Sequence, residues 1–78
     1  MNETIAVDCV FHHDDRVRVR RIQLEGQWFP VEQGRQWIDE NGRHVLISIP
    51  GADVLEILLS PRSLRWELVP RRGGPQIV

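Results

Sequence analysis

The chain has no lysine, no tyrosine, one cysteine, and no apolar run longer than a few residues. Each shortage excludes something. The lone Cys9 cannot form an internal disulfide, so the core must hold without a covalent staple. Runs this short cannot supply the ~20 apolar residues that a membrane-spanning helix needs. The opening MNETIAVD has neither a basic start nor a long apolar stretch, so no signal peptide is expected. A reducing, bacterial cytoplasm is the simplest compartment.

What is present is ordinary globular composition, 41% hydrophobic and 27% charged, in 78 residues. That length suits one domain over 1–69, near the lower limit for unaided folding, with 70–78 as a mobile, Gly- and Pro-rich tail. A net charge of −1 argues against a strongly basic binder of nucleic acid or membranes. All ten basic residues are arginine. Arginine's planar fork suits phosphate and carboxylate recognition, although a GC-rich genome gives the same excess.

Apolar residues recur at every second position from end to end, which predicts strands. Ile5, Val7, Cys9 and Phe11 share one face. Val17 and Val19 share another, but the parity then flips to Ile22 and Leu24. One extra residue at Arg20-Arg21, a β-bulge, restores a common face. Parity also requires an odd-numbered first loop, and His13-Asp14-Asp15 satisfies it. Phe11 then opposes Val17, Cys9 opposes Val19, and Asp8 lies beside Arg20 as an ion-pair partner.

Glu25-Gly26 reverses the chain, and Pro30 marks QWFPVEQ as an irregular or edge strand with Gln23 opposite Trp28. Gln33-Gly34 adds a bend. DENG predicts a tight hairpin with Glu40-Asn41-Gly42 as its loop, Trp37 opposite Val45 and Ile38 across from His44. Leu55 and Ile57 then pair back to Ile47 and Val45 as a strand. A competing pattern, Asp53 capping and Glu56 following, makes 53–60 a short helix. In LRWELV, Leu64, Trp66 and Leu68 are expected inward. The sum is an all-β fold: a small antiparallel barrel or tight sandwich of six or seven hairpin-linked strands, of SH3-like size.

Three constellations carry chemistry. The first is HHDD, where His12, His13 and Asp15 offer imidazole and carboxylate to a metal; the competing explanation is a polar hairpin loop. The second is an arginine row, Arg16, Arg18 and Arg20, joined by Trp28 as a stacking platform for single-stranded nucleic acid. The third is an outer apolar set, Trp28, Ile38 and Leu46, suited to a protein partner or a homodimer. No catalytic signature surrounds Cys9, Ser48, Ser60 or Ser63, and no glycine loop cradles phosphate. The leading expectation is a non-enzymatic protein-interaction module without a cofactor, self-associating in one version. The alternative is a nucleic-acid-binding barrel.

Overall fold

Period-two alternation becomes eight strands in the computed structural model, which describes residues 3–70. They are β1 Glu3–Ile5, β2 Val7–Phe11, β3 Val17–Leu24, β4 Gln27–Pro30, β5 Glu32–Asp39, β6 Gly42–Ser48, β7 Val54–Leu59 and β8 Trp66–Val69. One antiparallel sheet runs β1-β8-β7-β6-β5 and the other β2-β3-β4. The two form a sandwich and do not close into a barrel. The segment expected as a tail lies, from 71 onward, outside the described residues.

The chain changes sheets twice. Ala6 separates β1 from β2, and Val31 separates β4 from β5. Both corners are stitched to β3 by backbone. Gln23 N–H donates to the Ala6 carbonyl at 2.9 Å, and Val31 N–H donates to the Arg20 carbonyl at 3.1 Å. Between the sheets lie Ile5, Val17, Val19, Ile22, Val45, Ile47, Ile57 and Trp66, all buried. Valine and isoleucine suit this position because their branched side chains pack well on a pleated, covered surface.

The first hairpin forms in the expected register. Phe11 opposes Val17 and Cys9 opposes Val19, but Asp8 opposes Arg21, so Arg20 is the extra residue of a bulge. His12 and Arg16 close the three-residue loop, in which Asp15 takes a left-handed φ of 69°. Aspartate tolerates that conformation better than most residues. The bulge corrects one expectation: Asp8 bonds Arg21 at 2.9 Å, not Arg20. Glu25 and Gly26, both at positive φ, make the second turn.

The DENG hairpin differs by one residue. Asp39 pairs with Gly42, leaving only Glu40-Asn41 as the loop, and the Asp39 carboxylate accepts from Asn41 N–H at 2.8 Å. Trp37 therefore opposes His44 on the outer face, not Val45, and Ile38 opposes Arg43, not His44. A bulge between Gln33 and Gln36 accommodates the change and turns both glutamines inward, opposite Ile47 and Val45. Gly42 belongs in the strand because it passes against the Leu59 carbonyl, where any β-carbon would collide.

Residues 54–59 are strand β7, with Leu55 opposite Ile47 and Ile57 opposite Val45. The helical alternative fails because every second residue here completes the buried layer. Leu64 is not inward: it sits in the β7–β8 turn at φ 58° and is 74% exposed. The turn is closed by Leu64 N–H donating to the Ser60 carbonyl and Ser60 N–H to the Arg65 carbonyl. Strand β8 consequently starts at Trp66.

Two glycines at positive φ separate strain from collision. Gly26 stands in open space, whereas a β-carbon at Gly42 meets Leu59 backbone and Pro61. Gly26→Ala should lower stability by about 1 kcal/mol, the left-handed penalty alone. Gly42→Ala should lower it by about 3 kcal/mol or more. Urea midpoints of the two variants check the order.

Candidate functional site

The bulge sorts the arginines. Val17, Val19 and Ile22 are buried, so Arg16, Arg18, Arg20 and Arg21 are exposed. Arg18 opposes Val10, Arg21 opposes Asp8 and Pro30, and Gln23 opposes Trp28. Arg18, Arg21 and Trp28 thus share the outer face of the three-stranded sheet. Arg21 is engaged, ion-paired to Asp8 with its guanidinium 4.9 Å from the Trp28 ring centre. Among the described residues, Arg16, Arg18 and Arg20 have no carboxylate partner.

These three line a cleft of about 840 Å³ along the edge of β3. Strand β4 covers that edge only from Arg21 to Leu24. Before it, where β4 would have continued, the chain has already crossed to the other sheet as β5. Two glutamine side chains of β5 fill the gap. Val19 N–H donates to Gln33 Oε1 at 2.7 Å, and Val17 N–H to Gln36 Oε1 at 3.2 Å. The Val17 carbonyl accepts from both amides, Gln33 Nε2 at 2.9 Å and Gln36 Nε2 at 3.0 Å. Each primary amide imitates a peptide group, offering one acceptor and one donor to the strand beside it. Across the cleft stand Glu32 and Gly34, and Asp14 lies at one end, its carboxylate accepting from Arg16 N–H.

The expected apolar face is dispersed. Trp28 lies on the three-stranded sheet, and Leu46 lies on the outer side of the five-stranded sheet opposite Glu56. Ile38 shares the inward side of β5 with Gln36 but overhangs the end of the core, 63% exposed. Of the HHDD stretch, His12 closes the first hairpin, and His13, Asp14 and Asp15 form its loop. No group of three or more His, Cys, Asp or Glu among the described residues is arranged to hold a metal ion. Burial pushes the Cys9 thiol up, against a hydrogen bond to Trp66, and nearby Asp8 adds to the rise. Ser60 and Ser63 hydroxyls accept backbone N–H groups of their own turn.

A second constellation was invisible as sequence spacing. His44 is buried on the outer side of the five-stranded sheet, stacked on Trp37 with ring centres 4.9 Å apart. Arg35 sits over the same tryptophan ring at 5.2 Å. His44 Nδ1 lies 2.7 Å from Glu56 Oε2, and Nε2 lies 2.8 Å from Asp39 Oδ1. Facing a carboxylate at each nitrogen, the ring is favoured as imidazolium, donating at both ends. Donating at both nitrogens, the ring ties β5, β6 and β7 together. Only the correct DENG register, which places Asp39 and Glu56 beside His44, reveals it.

The charge state follows from competing causes. Burial alone would lower the His44 pKa, but its hydrogen bonds to the Asp39 and Glu56 carboxylates, with their negative charge, raise it above 6.5. The same bond to His44, with help from Asn41 N–H, holds the Asp39 carboxyl below its usual value. A pKa raised in the folded state stabilises the fold fully below the unfolded histidine value. That stabilisation disappears as pH rises through the folded value. Wild-type stability should therefore fall above pH 6.5, and the His44→Ala variant should lack that fall. At pH 6 the variant should be less stable by about 2 kcal/mol, the range for a hydrogen bond to a charged group. Denaturant titrations of both proteins across neutral to alkaline pH check this; parallel curves would contradict the imidazolium.

The chain matches no protein-family model, no curated protein and no solved structure.

Proposed function

We propose that this chain is a non-enzymatic interaction module that holds an acidic segment of a partner protein in the cleft beside β3. The observation that carries this is Arg16, Arg18 and Arg20, exposed on one cleft wall without carboxylate partners among the described residues. The chain from Arg16 to Arg20 carries all three along one cleft, so their guanidinium groups can meet successive carboxylates of a single segment. The opposite wall carries Glu32, which limits the field and disfavours a uniformly charged polymer. Short stretches of carboxylate beside apolar residues fit better, because Val17, Val19 and Val31 also line the cleft.

A second reading has its own support. Arg18, Arg21 and Trp28 share one sheet face, the combination of cation and stacking ring by which small β domains bind single-stranded nucleic acid. One aromatic ring and an arginine already paired to Asp8 make it the weaker of the two.

Titration of the protein with a labelled acidic peptide and with a labelled single-stranded oligonucleotide, both at low salt, separates the two. The acidic peptide should bind, and replacing Arg16, Arg18 and Arg20 together by glutamine should weaken it about tenfold or more, some 1.4 kcal/mol. Trp28→Ala should leave it unchanged. Oligonucleotide binding lost with Trp28→Ala would favour the second reading, and peptide affinity indifferent to the three arginines would overturn the first.

A further inference from the structure

The edge of β3 in this cleft is provisional. Its Val17 and Val19 amides and the Val17 carbonyl are bonded, but to side chains and not to a strand. A ladder between strands is lost only by unzipping backbone. A glutamine amide can leave by rotating about its own side-chain bonds, and both glutamines are only half-buried. Arg43 is placed to keep one of them partnered, its Nη1 being 3.0 Å from Gln36 Oε1.

We propose that the Val17–Val19 edge of β3 accepts an added strand from the partner, which continues the line of β4 as Gln33 and Gln36 swing aside. This rests on the acidic-segment reading above and adds the manner of binding. The gap from Val17 to Arg20 is about 10 Å, room for three or four extended residues at ~3.3 Å each. Strand addition takes its affinity from main-chain hydrogen bonds and its specificity from alternate side chains. Here the two sides of the edge differ. The side carrying Arg16 and Arg18 is basic and exposed, whereas the side carrying Val17 and Val19 is buried and apolar. A strand in register with β3 would send one set of side chains toward arginine and the other toward valine. The partner chemistry is therefore a short segment in which glutamate or aspartate alternates with valine, isoleucine or leucine.

Backbone-methylated peptides test the mode without altering the protein. Successive N–H groups of an extended chain point to opposite edges, so methylating every second amide blocks one edge only. Two such peptides of the same alternating acidic-apolar sequence, one for each phase, are compared with the unmethylated parent. One phase should lose about tenfold or more in affinity and the other should bind like the parent. Hydrogen exchange at Val17 and Val19 should slow on binding the parent peptide. Gln33→Ala with Gln36→Ala, if folded, should bind the parent more tightly because nothing has to be displaced. If the parent binds but both methylated phases bind as it does, or both weaken alike, strand addition is overturned while the arginine reading stands. If the parent itself fails to bind, the arginine reading falls and this mode falls with it.

Discussion

One inserted residue governs this fold. Without the bulge at Arg20, residues before and after it on β3 would turn opposite sides to the core, and either the Val17-Val19 pair or Ile22 would face water. All three are essentially inaccessible to solvent, and a buried aliphatic side chain contributes roughly 1.5–3 kcal/mol relative to exposure. The bulge stores one unmatched residue so that three apolar ones agree. It also decides the surface. Because the phase is corrected between them, Arg18 and Arg21 emerge on the same face despite their odd spacing, and Arg21 in place of Arg20 reaches Asp8. At the bulge the Arg20 carbonyl also accepts from Val31 N–H, where the chain leaves for the other sheet.

That departure creates the polar seam. A sandwich of short strands can meet its corners with backbone, as it does at Ala6 and Val31. Once β4 has left early, the remaining edge of β3 has to be satisfied by something else. Unbonded amides beside a buried core lose about 1–3 kcal/mol each. The second bulge, on β5, turns Gln33 and Gln36 inward and supplies the substitute. Glutamine has the right reach and both kinds of hydrogen-bonding group, so two side chains replace what would have been a few residues of ladder. An edge closed in this way is protected against indiscriminate pairing, because an incoming chain must first displace existing bonds.

Most of the sheet register was legible because burial on one face makes a two-residue period strict. The loop at His13-Asp14-Asp15, the bulge, the Glu25-Gly26 turn and the Ile57–Val45 pairing all follow from keeping apolar residues together. The DENG hairpin escaped because its decisive constraint is not local. Gly42 belongs to the strand through its approach to Leu59, a neighbour 17 positions away in the chain. The Gln33–Gln36 bulge also places polar residues on the inner side, against the alternation of apolar inward and polar outward. With that register goes His44, to which Asp39 and Glu56 are brought from separate strands. Leu64 misled for the opposite reason: it fits the alternation of LRWELV yet belongs to a turn at positive φ. The arginine cleft was half legible. The row could be read from spacing, but the missing length of β4 that opens the space beside it could not.

Charge is handled in two ways on this fold. On the five-stranded sheet, His44 meets Asp39 and Glu56, and the groups neutralise one another around a shielded ring. Along the cleft beside β3, Arg16, Arg18 and Arg20 are left exposed in a row, while Arg21 pairs with Asp8. Among the described residues Arg35, Arg43, Arg62 and Arg65 also lack a carboxylate ion pair, so what marks Arg16, Arg18 and Arg20 is that they stand together along one cleft. Arginine is also suited to that exposure. Its guanidinium is more weakly hydrated than an ammonium and its fork meets a carboxylate with two bonds at once, so less has to be given up in forming such a contact. A genome that favours arginine explains why no lysine occurs. It does not explain why the bulge, the short β4 and the arginine row coincide at an edge that side chains, and not a strand, keep closed.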